Sequence, residues 1–276
     1  PIDMSHFNVQ DHTSGMARYF REYLRSEMKD WCDNHFRPDG TPYNLYKDGL
    51  KIYTTIDSRM QRYAEEAVAE HLGEDLQPAF YKHWKGYTWA PFVFEKEVIR
   101  DEVEKLKDQA MRRSERYRKM SSAGIPADSI ELAFKTPTEM TVFSWDGPID
   151  TVMTPMDSIH YYKFILQAGL LSIEPGTGEV KAYVGGIDYL YFKYDHATLS
   201  RRQVGSTFKP FLYTLAMQEG EFSPCYRVAN IQYTVDLPTG EIWAPRNSSS
   251  SRVGEMVTLK WALANSNNWI SAFLMR

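Results

Sequence analysis

The chain has 276 residues, of which 43% are hydrophobic and 25% charged, with a formal net charge of −4. That content can bury a sizeable core and could fill two domains, and the mildly acidic balance excludes the basic footprint of a nucleic-acid binder. Cys32 and Cys225 lie far apart without metal-ligand spacing, and the seven histidines form no ligating cluster, so no metal or other cofactor is expected.

In chain order, residues 1–47 contain a helix around Gly15–Trp31 and then a loop from Phe36 to Pro42 rich in Pro, Gly and Asp. No apolar run there or elsewhere approaches the ~20 residues of a membrane-crossing helix. Residues 48–165 open with Leu50–Ile56, whose β-branched and aromatic residues predict a strand. Ser58-Arg59-Met60-Gln61 follows with a capping-box pattern and predicts a helix through about Leu72. Glu95–Met120 is heavily charged, yet Ile99, Val103, Leu106, Ala110 and Tyr117 keep a helical stripe. The Arg112, Arg113, Arg116, Arg118 and Lys119 cluster reads as its solvated face. Thr141–Trp145 reads as a strand, with a turn at Asp146-Gly147-Pro148.

Residues 166–276 begin with two apolar runs within Ala168–Val184, flanking Glu174-Pro175-Gly176-Thr177-Gly178, which predicts an antiparallel hairpin. Phe208–Met217 is mostly apolar and predicts a buried central helix. Thr258 is placed to cap a short helix through Ala264, and Trp269–Met275 is apolar enough to be buried.

Two short patterns carry chemistry. Gly205-Ser206-Thr207-Phe208-Lys209-Pro210-Phe211 sets a hydroxyl and an amine on one helical face, three residues apart. Proline is tolerated only in a helix's first turn, so Pro210 puts Ser206 at the mouth, and Gly205 permits the bend before it. A serine is a weak nucleophile until a base takes its proton, and a desolvated lysine amine can be that base. Ser26-Glu27-Met28-Lys29 has the same spacing, but inside a charged helix without such punctuation, and reads as a solvated face. The second pattern is Ser266-Asn267-Asn268, a polar corner between apolar segments: either a helix-connecting turn or a site reaching into a cleft.

Arg202–Phe211 closely resembles the active-serine motif of the bifunctional, class A penicillin-binding proteins, and Ala262–Asn268 resembles their second motif at a fitting distance. Ala168–Gly186 is similar to the first hairpin of their transpeptidase domain, and Lys51–Asp57 with Gln61 to the segment after their glycosyltransferase domain. The fold this implies is α+β, of the penicillin-binding-protein and serine β-lactamase-like transpeptidase type, an antiparallel sheet with a helical subdomain. The domains expected are 1–47 following the glycosyltransferase, 48–165 as linker or insertion, and 166–276 as the N-terminal part of the transpeptidase.

The activity implied is crosslinking of peptidoglycan stem peptides through a serine acyl-enzyme. Ser206 is the expected nucleophile, Lys209 its base, Ser266 a proton relay and Asn268 a substrate-binding amide, with the Ser206 N–H in the oxyanion hole. Implied partners are stem peptides, β-lactams and other cell-wall synthesis proteins, at the extracytoplasmic face of the bacterial membrane, with the parent anchored there. The family's third motif, Lys-Thr-Gly, is missing; Leu237-Pro238-Thr239-Gly240 lacks the cation and precedes the second motif. The chain is therefore expected to be a piece of a longer protein, with little activity alone. The alternatives are a DD-carboxypeptidase, a β-lactamase-like hydrolase, or a non-catalytic interaction module.

Overall fold

The structure, a computed structural model, describes residues 15–87, 89–92 and 99–276, and parts into two compact units, Pro1–Ser200 and Arg201–Arg276. The first unit opens with helix α1 (Arg18–Asn34), on which Tyr19 and Cys32 are buried while Ser26 and Lys29 are exposed. Both cysteines are free thiols. The Phe36–Pro42 loop closes on itself through a bridge between its end residues.

Leu50–Ile56 does not form the expected strand. Residues 51–55 are exposed, and contact with the neighbouring strand is confined to its end, where Asp57 N donates to Lys181 O at 2.9 Å and Thr55 Oγ1 to Val180 O at 2.8 Å. β-Propensity describes fit to a half-buried pleated surface, and this stretch lacks one.

Helix α2 (Ser58–Glu70) is capped by Asp57 rather than Ser58, the carboxylate accepting from the Arg59 and Met60 amides at 2.9 and 3.0 Å. Those two bonds hold the Asp57 carboxyl below its ordinary range. Gln61 is thereby released from the box and fully buried. It accepts from Tyr183 N at 2.7 Å and donates to Tyr183 O at 2.9 Å, replacing a missing neighbour strand.

The helix then continues as a π turn (His71–Leu76) into α3 (Gln77–Trp84), with Pro78 tolerated in the first turn. A side chain at Gly73 would lie 2.7 Å from the Trp145 ring, so the π turn passes against that indole only as glycine. Gln77 repeats the device of Gln61: fully buried, it donates to Phe164 O at 2.7 Å and accepts from Leu166 N at 2.9 Å.

The charged stretch divides at Ser114 into α4 (Ile99–Arg113) and α5 (Glu115–Ser122), Ser114 Oγ accepting from Tyr117 N at 3.2 Å as the cap. Of the expected stripe, Val103 is buried but Leu106 is exposed; the arginine face is solvated, Arg112 pairing with Asp108 at 2.7 Å. With α6 (Ala127–Lys135) these helices enclose Met111, Ile130 and Phe134. Strands β1 (Thr138–Val142) and β2 (Ile149–Met153) pair in register from Thr138↔Met153 to Val142↔Ile149; the strand expected over Thr141–Trp145 lies three residues earlier, and Ser144–Gly147 falls in the turn. Helix α7 (Pro155–Lys163) follows, capped by Thr154. The Ala168–Val184 hairpin forms as β3 (Leu170–Ile173) and β4 (Val180–Val184), and α1 and α2 pack against β4.

The second unit carries a 3₁₀ turn (Gly205–Phe208) running straight into α8 (Lys209–Glu219). Two antiparallel pairs follow: β5 (Arg227–Ala229) with β8 (Met256–Thr258), and β6 (Val235–Asp236) with β7 (Ile242–Trp243). Leu237-Pro238-Thr239-Gly240 is the turn of that second hairpin. Short helices α9 (Leu259–Ala264) and α10 (Asn268–Leu274) complete the unit.

Its core is Tyr213, Val228, Val257, Leu259, Ala262 and Ile270. Burying a side chain the size of Leu259 or Ile270 contributes about 2 kcal/mol. Helix α8 is not buried all round, as its composition suggested. Lys209, Tyr213 and Ala216, spaced i, i+4, i+7, face the core, while Phe208, Phe211 and Leu215 are more than half or half exposed, at 50%, 71% and 56%. Apolar residues on every face gave no periodicity from which to choose the buried side. The chain is thus α+β, with its described strands gathered into four two-stranded antiparallel pairs.

Candidate active site

All four expected site residues lie in the second unit and meet. Gly205, at φ 53°, takes the left-handed conformation that turns the chain into the 3₁₀ segment. Ser206 is exposed there, and Lys209 begins α8 with only 7% of its surface accessible. Thr258 Oγ1 accepts from Trp261 N at 3.1 Å and starts α9 as anticipated. The Asn265–Asn268 corner is both things it could have been. It connects α9 to α10, with Asn267 capping α10 through a 3.0 Å bond from Ile270 N, and it presents Ser266 and Asn268 to Lys209.

Lys209 Nζ donates to Ser266 O at 2.6 Å, Ser266 Oγ at 3.0 Å and Asn268 Oδ1 at 2.6 Å. Ser266 Oγ donates onward to Ser206 Oγ at 3.1 Å. The amine therefore reaches Ser206 through Ser266, and the three-residue spacing on the helix serves to bring both groups to that hydroxyl. Burial pushes the Lys209 amine below the ordinary lysine range. Three acceptors oppose that by favouring the ammonium, so the group sits between two pulls.

Ser266 itself holds a left-handed backbone at φ 49°, uncommon for a residue with a side chain. Its neighbours fix it. Asn268 N donates to Asn247 Oδ1 at 2.7 Å and Asn268 Nδ2 to Arg246 O at 2.7 Å. Asn267 Nδ2 donates to Asn230 Oδ1 at 2.8 Å, and the fully buried Asn230 is in turn tied to Ser251 O and Arg252 O. No local pattern in the sequence marks Asn230 or Asn247. Asn247 adjoins the serine tract Ser248–Ser251, and its link to Asn268 is made by the tertiary fold alone.

Residues 88–166 match the family model for the penicillin-binding protein middle domain, and residues 168–275 that for the penicillin-binding protein transpeptidase domain. Penicillin-binding protein 1A of Neisseria lactamica is 40% identical over 286 residues, the alignment covering 92% of this chain and 33% of that protein. The same-named protein of Aquifex aeolicus is 29% identical over 266 residues, covering 93% and 34%. The crystal structure of penicillin-binding protein 1A from Haemophilus influenzae superposes with a TM-score of 0.53 at 19% identity, over 94% of this chain and 39% of that one.

The chain belongs to the penicillin-binding-protein family and has its α+β transpeptidase-type fold. Within the family its similarity runs to class A members, and it spans about a third of the length of the curated relatives it matches.

Proposed function

We propose that the protein is a serine-dependent peptidoglycan DD-transpeptidase, part of a bifunctional cell-wall synthase. The observation that carries this is the continuous hydrogen-bonded path Ser206–Ser266–Lys209–Asn268 at the mouth of α8.

Counting protons gives the path a direction. As an ammonium, Lys209 spends all three N–H groups on Ser266 O, Ser266 Oγ and Asn268 Oδ1. A neutral amine has two N–H groups and one lone pair. A backbone carbonyl and an amide oxygen can only accept, so the lone pair must face Ser266 Oγ. The Ser266 hydroxyl then donates to Lys209 and accepts from Ser206, which frees the Ser206 oxygen for attack. Loss of one proton from Lys209 thus reverses the Ser266 hydroxyl and primes the nucleophile.

Ser206 Oγ then attacks the carbonyl between the two D-alanines of a stem peptide, its proton passing by Ser266 to Lys209. The oxyanion meets the Ser206 N–H. Collapse breaks the amide bond; the proton returns through Ser266 to the departing D-alanine nitrogen, leaving an ester on Ser206. The amine of a second stem peptide attacks that ester, forms the crosslink, and restores the Ser206 hydroxyl with its own proton. Asn268 keeps one N–H and one lone pair beyond its bonds to Arg246 O and Lys209, available to the substrate backbone. A β-lactam acylates the same oxygen by ring opening.

On this reading residues 1–47 follow a glycosyltransferase, 48–165 form a linker or insertion, and 166–276 begin the transpeptidase domain. The protein acts at the extracytoplasmic face of a bacterial membrane, held by an anchor elsewhere in its parent. Among the described residues no helix is long and apolar enough to cross a membrane. The test is labelling of the full-length protein with a fluorescent penicillin, followed by peptide mass spectrometry. Stoichiometric adduct on the Ser206 peptide is expected; adduct elsewhere, or none, would overturn the assignment.

A further inference from the structure

We propose that Asn247 is a positioning residue of this site, aiming Asn268 at Lys209 from the loop that follows β7. The inference rests on the reading of Ser206 and Lys209 as the acylating pair. Asn268 must present its Oδ1 to an amine 2.6 Å away from a turn in which Ser266, two residues earlier, is in a left-handed conformation. Such a turn persists only where its surroundings hold it.

Two asparagines do so from different sides, and they do different things. Asn230 grips Asn267, whose side chain caps α10 and makes no hydrogen bond to Lys209. Asn247 grips Asn268, the residue that does. Its Oδ1 accepts from Asn268 N at 2.7 Å, and the adjoining Arg246 carbonyl takes Asn268 Nδ2 at 2.7 Å. With the nitrogen end of the Asn268 amide committed to Arg246, its oxygen end is left pointing at Lys209. Trp269 locks the loop in place, its indole N–H donating to the Pro245 carbonyl at 3.0 Å. Asn247 Oδ1 also accepts from Trp269 N at 3.4 Å, so residues 245–247 bond to Asn268 and Trp269 at four points, and only Asn247 contributes a side chain.

Loss of that side chain lets Asn268 Oδ1 drift from the amine. Lys209 then gives up an acceptor that favours its charged form, and the relay loses its alignment. A purely structural asparagine has no such effect on the amine, which separates Asn247 from Asn230.

The experiment compares Asn247→Ala, Asn247→Asp and Asn230→Ala in the full-length protein, with two readouts. One is the rate of acylation by a fluorescent penicillin. The other is the pH midpoint of Lys209, measured by competitive trace labelling with acetic anhydride and peptide mass spectrometry, which needs no acylation. Asn247→Ala is expected to acylate about tenfold more slowly, with the Lys209 midpoint moved down. Asn247→Asp keeps the acceptor, so it restores the rate to within a few-fold, and its added negative charge moves the midpoint up. Asn230→Ala lowers thermal stability and leaves the midpoint in place. An unchanged midpoint in Asn247→Ala, or an Asn247→Asp variant as slow as Asn247→Ala, would overturn the proposal. Failure of the wild-type protein to acylate would instead overturn the functional reading, while the midpoints still decide the role of Asn247.

Discussion

Ser266 Oγ lies 3.1 Å from Ser206 Oγ, although 60 residues of chain separate them. Neither group is a strong base or acid alone. On the proposed mechanism the amine's charge sets the order of donors between them and Lys209, and Ser266 acts as a two-way relay.

Ser266→Ala should therefore slow acylation of Ser206 by about 100-fold or more, the contribution of a positioned proton-transfer group. Ser266 is exposed, so the melting temperature should hardly move. Ser26→Ala, in the other Ser-x-x-Lys of the chain, should change nothing, since Ser26 and Lys29 lie on the solvent side of α1. Stopped-flow acylation rates and thermal melts of the two variants check both statements.

Acylation should rise with pH, because the relay needs the neutral amine. Burial lowers the Lys209 pKa from 10.5, so the midpoint should fall below that of an exposed lysine. For stability the sign runs the same way. A folded-state pKa below the unfolded value means the unfolded chain holds more protons between the two. The burial cost is then full below the folded pKa and disappears as pH rises toward the unfolded one. Lys209→Arg, permanently charged, should lose at least 100-fold in acylation and show no rise with pH. A rate–pH profile for wild type and variant measures both.

How far the sequence reached can be seen at individual residues. Gly205 and Pro210 fixed Ser206 at a helix mouth because φ and ring sterics are local constraints. Ser266-Asn267-Asn268 taken alone reads equally as a turn, and its resemblance to the family's second motif is what favours a site. Asn247 was not recognisable: what it does depends on a loop folding back onto α10, and no local pattern encodes that. Leu50–Ile56 had strand composition without a surface to pair with, and Asp57 and Ser58 are both good caps, so composition could not choose between them. The exposed face of α8 was hidden because Phe208, Phe211 and Leu215 are as apolar as the core-facing Tyr213 and Ala216.

Gln61→Ala should destabilise the protein by about 3 kcal/mol. The side chain is fully buried, and its loss strands both the Tyr183 N–H and its carbonyl in addition to leaving a cavity. Gln61→Leu, which fills the space without satisfying the backbone, should recover only part of that. Denaturant midpoints of the three proteins separate the cavity from the unsatisfied pair.

Gly205 offers a test of conformation apart from packing. At φ 53° it occupies the left-handed region, yet a side chain added there would meet nothing within 4 Å. The cost of substitution is therefore backbone strain alone, about 1–2 kcal/mol for an ordinary residue. Gly205→Val should be worse than Gly205→Ala, because β-branching disfavours that conformation further. Gly205→Asn should be milder than either, since asparagine tolerates the left-handed region. Ser206 is the next residue, so any relaxation of the bend moves its hydroxyl away from Ser266. Acylation rates should follow the same order as thermal stability, asparagine, alanine, valine; a rate order unrelated to that series would show that the bend does not set the nucleophile's position.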